Sequence, residues 1–176
     1  MSCSKNLDVP YQSQLDNISG TGYRECFSSS MAMIAMYYGR IDNDDDYNLV
    51  RSKYGDSTDA MAQESALREL GLNPTFITNG SRDTLTDEID AGRPIGVGWL
   101  HHGPVSAPSG GGHWSVVRGY DDYGFWMNDP NGDANLSAGG YLPSLDGENL
   151  HYSNKNWLPR WAYPGPWNGW AMLVKP

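Results

Sequence analysis

The chain has 176 residues, enough for one domain around one core, and its seven Trp and eleven Tyr put much aromatic area into that core. A net charge of −9 without clustered Lys or Arg argues against nucleic acid and against unaided attraction to an anionic membrane, and leaves neutral or cationic substrates open. No stretch approaches the roughly 20 apolar residues of a membrane span, and the two cysteines, Cys3 and Cys26, exclude a disulfide framework.

Leu7-Asp8-Val9-Pro10-Tyr11 alternates apolar and polar and reads as a short edge strand, with Pro10 keeping it off the sheet centre. Gln12-Ser13-Gln14 leads into a loop, and residues 16–22 are turn-rich. A helix is predicted over residues 26–38, where Phe27, Met31, Ile34, Ala35 and Tyr38 share a face and Gly39 sits where a left-handed C-cap belongs. In the acidic run 42–46, an EF-hand calcium loop starting at Asp42 would need Gly sixth and Glu twelfth. The chain has Tyr47 and Lys53 there, so a solvated helix N-terminus with acidic capping is the preferred reading. Further helices are predicted over 59–70, capped among Ser57, Thr58 and Asp59 and ended by Gly71, and over 83–91, with Leu85 and Ile89 inward and Gly92 at the end.

The second half changes character. Residues 94–100, 114–120 and 125–128 read as buried strands, with 121–124 as a turn. Ser153 is placed to cap a short helix near Asn156 and Trp157, and residues 169–174 to close the sheet. Helices followed by an antiparallel sheet is the α+β arrangement, and with no long linker residues 1–176 read as one domain.

Three residues carry chemistry in this order. Cys26 stands where loop becomes helix, His113 at the start of a strand, and Asp129 at the end of the next. The nucleophile of a cysteine hydrolase is the thiolate, which a helix N-terminus and a nearby imidazolium both favour. His113 would protonate the leaving amine, and a carboxylate would hold the imidazole in the useful tautomer. If 121–124 is a four-residue turn, Tyr120 pairs with Phe125, and alternation then puts Asn128 rather than Asp129 on the face of His113; one β-bulge restores Asp129. Either side chain would orient the ring. The oxyanion needs donors, and the backbone N–H of Cys26 with the amide of Gln14 or Gln12 would supply them, Gln14 being preferred. Phe27, His101, His102, Gly111, Gly112 and Trp114 are the expected substrate rim, with Gly110-Gly111-Gly112 as a flexible cover. A metal site at His101 and His102 would want further ligands at short spacing, and none is visible, so neither metal nor cofactor is expected. Cys3 stands too near the chain start to be relied on for chemistry.

Val9-Pro10-Tyr11-Gln12-Ser13-Gln14, the Cys26 helix through Gly39, Gly92-Arg93-Pro94-Ile95, residues 112–120 and Asn128-Asp129-Pro130 together resemble papain-like cysteine peptidases of the bacteriocin-leader-processing group and their stand-alone relatives. The resemblance implies a papain-like fold, with N-terminal helices and a central nucleophile helix packed on a C-terminal antiparallel sheet. It maps Gln14 as oxyanion donor, Cys26 as nucleophile, His113 as base and acid, and Asp129 as orienter. Two departures stand out: Phe27 occupies the place where the family usually has Gly, and the stretch 16–23 lengthens the gap from Gln to Cys.

Leader peptidases are usually fused to a transporter, but this sequence carries neither a membrane span nor a phosphate-binding loop of the Gly-x-x-x-x-Gly-Lys-Ser/Thr kind. Stand-alone versions resemble peptidase modules of phage lysins, so the expectation is an endopeptidase on peptidoglycan peptides, with Trp157, Trp161, Trp167 and Trp170 available for stacking. The alternatives are a peptidase or transamidase on a protein substrate, and an inactive papain-like binding module with its pocket blocked by Phe27. The start of the chain lacks the apolar run of a signal peptide, so the expectation is a monomer held in the cytoplasm until released to the cell wall.

Overall fold

The computed structural model describes residues 4–176, so Cys3 lies outside the described residues. In chain order the elements are β1 (Lys5–Asn6), α1 (Cys26–Tyr37), α2 (Asp44–Ser52), α3 (Ala60–Glu69), β2 (Asn73–Gly80), α4 (Arg82–Asp90), β3 (Ile95–Trp99), β4 (His113–Tyr120), β5 (Gly124–Asn128), β6 (Leu150–Ser153), α5 (Leu158–Trp161) and β7 (Gly169–Lys175). Two 3-10 turns, Gln14–Asp16 and Gly22–Arg24, precede α1. The strands form one antiparallel sheet in the order β2-β7-β3-β4-β5-β6, with β1 added to β4. This is the α+β, papain-like arrangement expected from the sequence.

The sheet has a core on each face. On one side α1 packs with α2 and α3, burying Met31, Ile34, Tyr47 and Leu67 against Trp114, Val116, Met172 and Val174. On the other, Leu85 and Ile89 of α4 and Trp161 of α5 cover Val97, Val117, Phe125 and Met127. Residues 27 to 35 of α1 are all buried, as a helix must be when sheet and helices surround it. Its approach to the sheet is close: a Cβ on Gly96 of β3 would lie 2.2 Å from the Met31 methyl. No helix among the described residues is long and apolar enough to cross a membrane.

Several expectations change. The first strand is Lys5–Asn6, not residues 7–11. After Leu7 donates to Arg118 O, the Val9 N–H turns back to Leu7 O, and Pro10 has no N–H to give. The acidic run does begin a helix, α2, capped by Asn43 accepting from the Asp46 N–H, but Asp44 is buried rather than solvated and accepts from Ser29 Oγ at 2.6 Å. β2 and β6 were not predicted. Ser153 ends β6 and caps the turn that follows, its Oγ accepting the Asn156 N–H at 3.2 Å, but that turn is not a helix, and Trp157 precedes α5 rather than sitting within it. β7 does not close the sheet but runs inside it, between β2 and β3.

Candidate active site

Cys26 is the first residue of α1. The 3-10 turn before it ends with the Glu25 N–H donating to Gly22 O at 3.0 Å, and no side chain caps the first turn of α1. Its N–H groups therefore face the sulfur side with their partial positive charge. His113 opens β4, paired with Trp99 of β3, and Gly110 and Gly112 turn the chain into it with φ of 113° and 95°. Only glycine adopts such angles without strain.

Asp129 directly follows β5, and the strand register decides its position. Tyr120 does pair with Phe125, but the pairing shifts between Val117 and Gly119, leaving Arg118 as an extra residue. That β-bulge puts Val117 opposite Met127 and turns Asp129 to the face of His113. His113 Nε2 and Asp129 Oδ1 are 2.8 Å apart. Asn128 points the other way, donating to Val9 O at 3.0 Å and accepting from Arg118 Nη1 at 3.2 Å.

With Nε2 on Asp129, Nδ1 is the ring nitrogen left for Cys26, whose thiol both His113 and the Trp114 backbone bias toward the charged form. Burial raises the Cys26 thiol, but the charge and hydrogen bond of His113 and then the Trp114 N–H outweigh it, and the net direction is down. Burial likewise opposes the His113 imidazolium, yet Asp129 and the thiolate raise it to about 10. Both shifts favour a thiolate–imidazolium pair.

The Asp129 carboxylate is fully buried and accepts three more hydrogen bonds: the Asn131 N–H at 3.0 Å, Tyr141 OH at 3.0 Å and Tyr152 OH at 2.8 Å. Burial and then Asp129 itself keep both phenols protonated far above their ordinary range, so they remain donors. Sequence reasoning missed both tyrosines, because no periodicity or spacing ties them to Asp129.

Gln14 opens a 3-10 turn and is buried; its Nε2 donates to Gly22 O at 3.0 Å and its backbone N–H to Pro130 O at 2.9 Å. Gln12 is used elsewhere: its Oε1 accepts the Asp44 N–H at the start of α2 and its Nε2 bonds the Tyr11 carbonyl. Of the two, Gln14 is the one tied to both the Asp129 strand end and the Cys26 helix start.

The match to known proteins falls on this constellation. A family model described as the Peptidase_C39 like family matches residues 6–144. The chain belongs to that family. Among solved structures it is similar to a Bacillus anthracis protein assigned as a C39-like peptidase, with a TM-score of 0.62 at 15% identity, covering 99% of this chain and 98% of that one. A double-glycine-motif protease from an AMS/PCAT transporter, solved with its leader peptide, gives a TM-score of 0.60 at 17% identity, covering 98% and 94%. The peptidase domain of Streptococcus ComA, a bifunctional ABC transporter of a quorum-sensing pathway, gives 0.57 at 21%, covering 88% and 93%. No curated protein matches the chain.

The expected rim is only partly a rim in this C39-like chain. Phe27 is buried and stacks flat on Trp114, ring centroids 3.7 Å apart, so its ring lies in the core rather than over the thiol. A groove of about 310 Å³ runs past the start of β4, with Gly98, Gly111 and Gly112 as small liners and Trp114, Tyr163 and Trp170 as aromatic walls; His113 and Cys26 themselves do not line it. Trp157 and Trp161 are core, whereas Trp170 is half exposed. His101 lies 5.5 Å from His113, ring to ring. Burial, then the charges of His113 and His102, push it down to about 4, so it does not compete for the proton. His102 is exposed and pairs in a bridge with Ser109. Among the described residues no group of three or more His, Cys, Asp or Glu stands close enough to hold a metal ion.

Proposed function

We propose that the chain is a cysteine endopeptidase in which Cys26 is the nucleophile, His113 the proton carrier, Asp129 the orienter, and Gln14 with the Cys26 N–H the oxyanion donors. The observation that carries this reading is the buried His113–Asp129 contact at 2.8 Å, with the His113 charge acting on the Cys26 thiol at the start of α1. The thiolate adds to the substrate carbonyl carbon, and the oxygen takes up negative charge. His113 passes its Nδ1 proton to the amine as the C–N bond breaks, leaving an acyl group on the sulfur. Water then adds, His113 takes its proton, and the carboxylic acid departs.

For the substrate we propose peptidoglycan stem peptides or cross-bridges. The reading is supported by the acidic chain, which does not repel cationic peptides, and by the aromatic groove at the start of β4, which suits bulky groups on a flat ring. A second reading, a protein or leader-type peptide substrate, is supported by the likeness to the transporter protease solved with its leader peptide. Mass spectrometry of purified peptidoglycan before and after treatment separates the two. New free amines are expected with the native chain and none with Cys26→Ala. Amine release that persists in Cys26→Ala would refute the nucleophile. No muropeptide product, with acyl transfer to Cys26 from a peptide probe, would select the protein reading.

A further inference from the structure

We infer that Glu25, the residue before the nucleophile, is the positioning residue of the oxyanion site: it clamps the 16–24 segment, and that segment holds the Gln14 amide toward Cys26. The inference rests on the cysteine-peptidase reading and extends it to a residue that touches neither substrate nor thiol.

One carbonyl joins the two halves of the site. Gly22 O accepts both Gln14 Nε2 and the Glu25 N–H, each at 3.0 Å. A primary amide has two hydrogens, so with one on Gly22 the other remains for the substrate oxygen. The approach is tight: a Cβ on Gly22 would sit 2.0 Å from the Gln14 backbone oxygen. The position of Gly22 therefore sets the position of the Gln14 amide.

Apolar burial does not hold Gly22 in place. Ile18 is 87% exposed and Tyr23 78% exposed. The anchor is the Glu25 carboxylate, itself only 3% exposed. From the segment it accepts Asn17 Nδ2 at 2.6 Å, Thr21 Oγ1 at 2.7 Å and Ser19 Oγ at 3.0 Å, and from α2 it accepts Asn48 Nδ2 at 3.1 Å. Burial opposes the charge, but the Asn17, Thr21 and Ser19 donors, with the charge of Arg51, outweigh it and bring the carboxyl below its ordinary value. Weaker ties join in: the Ile18 N–H to Asp45 Oδ1, Asn17 Nδ2 to Ser29 Oγ, Ser57 Oγ to Arg24 O, and the exposed Arg24–Asp56 pair. A charge-assisted hydrogen bond contributes about twice a neutral one, so removing Glu25 removes the strongest single anchor of the segment. The stretch that lengthens the Gln-to-Cys gap thus carries its own fastening.

Two reactions of the same sulfur separate this role from a general structural one. Iodoacetamide forms the S–C bond by expelling iodide and never develops an oxyanion. p-Nitrophenyl acetate transfers its acetyl group to sulfur through a tetrahedral oxyanion and releases p-nitrophenolate. Glu25→Ala is expected to slow acetyl transfer about 10- to 100-fold, the scale of a misplaced rather than a deleted donor. Alkylation and its pH profile should stay unchanged. Glu25→Gln should recover most of the rate, because one amide oxygen still accepts Asn17, Ser19 and Asn48 while its NH₂ meets Thr21 Oγ1. In a Gln14→Ala background, Glu25→Ala should cost nothing further. Independent, multiplying effects in that double variant would overturn the inference, as would parallel losses in both reactions. Should Glu25→Ala lack the native circular-dichroism spectrum, Asn17→Ala and Thr21→Val loosen the segment from its own side and carry the same expectation. Failure of the peptidase reading looks different: no burst of p-nitrophenolate from the native chain, or a burst that survives Cys26→Ala.

Discussion

Replacing Asp129 by Asn separates the charge of the orienter from its shape. The amide oxygen can take the Oδ1 position, still accepting from His113 Nε2 and the Asn131 N–H. The NH₂ then meets the hydroxyls of Tyr141 and Tyr152, which rotate to accept. The fold and the ring orientation should therefore survive. The charge does not, and burial, the largest influence on His113, is then opposed only by the thiolate and an uncharged hydrogen bond. The imidazolium is no longer held at neutral pH, and Cys26 loses the partner that brings its thiol down. The assay is the pH dependence of iodoacetamide alkylation. In the native chain the rate should stay flat as pH falls through neutrality. In Asp129→Asn it should fall tenfold per unit below about pH 8.5, the value of a free thiol, reaching roughly one three-hundredth of its high-pH plateau at pH 6. Comparing each variant with its own plateau removes the lower intrinsic nucleophilicity of an acidic thiol. An Asp129→Asn profile as flat as the native one would refute the idea that this carboxylate holds the proton on His113. A native inflection near pH 8.5 would refute the ion pair itself.

Two further outcomes follow from buried charge away from Cys26. Burial pushes the Asp44 carboxyl up to about 6, against an ordinary 3.8. A raised carboxyl stabilises the fold fully below its unfolded value and loses that contribution as pH rises through about 6. Asp44→Asn should therefore leave the urea midpoint nearly unchanged at pH 4 and raise stability by about 1–2 kcal/mol at pH 8, after allowance for the favourable place of a carboxylate in the first turn of α2; a lower midpoint at pH 8 would contradict this. Arg160 is 1% exposed and donates to the carbonyls of Leu100, His102, Gly103 and Leu136. Arg160→Met leaves those oxygens without their donor and should cost about 3 kcal/mol or more by urea denaturation; a loss under about 1 kcal/mol would show that water replaces the guanidinium.

The elements with a strong local signal were legible. α1, α3 and α4 each pair an inward apolar spacing with a glycine just beyond the end, and Gly39, Gly71 and Gly92 all take positive φ, near 70°, 79° and 80°. β3 to β5 announce themselves as apolar runs because the sheet is buried on both faces there. β2 does not: it is an edge strand with Pro74 as its second residue and half its side chains in water. β6 has four residues, too few for any period to show. The site divides the same way. Cys26, His113 and Asp129 can be picked out because their side-chain chemistry is specific. Glu25, Tyr141 and Tyr152 cannot, because an acid before a helix, a tyrosine in a loop and another in a four-residue strand are ordinary until the fold brings their partners to them.

The choice between Asn128 and Asp129 shows where local arithmetic ends. The turn and the pairing of Tyr120 with Phe125 follow from the sequence, yet the bulge at Arg118 reverses their consequence. Its cause lies in the N-terminal segment. A Cβ on Gly119 would meet the Lys5 carbonyl at 2.3 Å, so β1 presses directly on β4 there. Arg118 turns into the space beside it, donating to Asn6 Oδ1, Val9 O and Asn128 Oδ1. Asn128, displaced from the His113 face, donates to Val9 O and Pro10 O; Tyr11 OH donates to Asp129 O, and the Gln14 N–H to Pro130 O. Residues 6–14 are therefore laced to the strand end that carries Asp129, and Gln14 arrives as the last stitch. The bulge that gives His113 its carboxylate and the path that delivers the Gln14 amide are one packing solution, so a change that straightens β4 should disturb both ends of the site together.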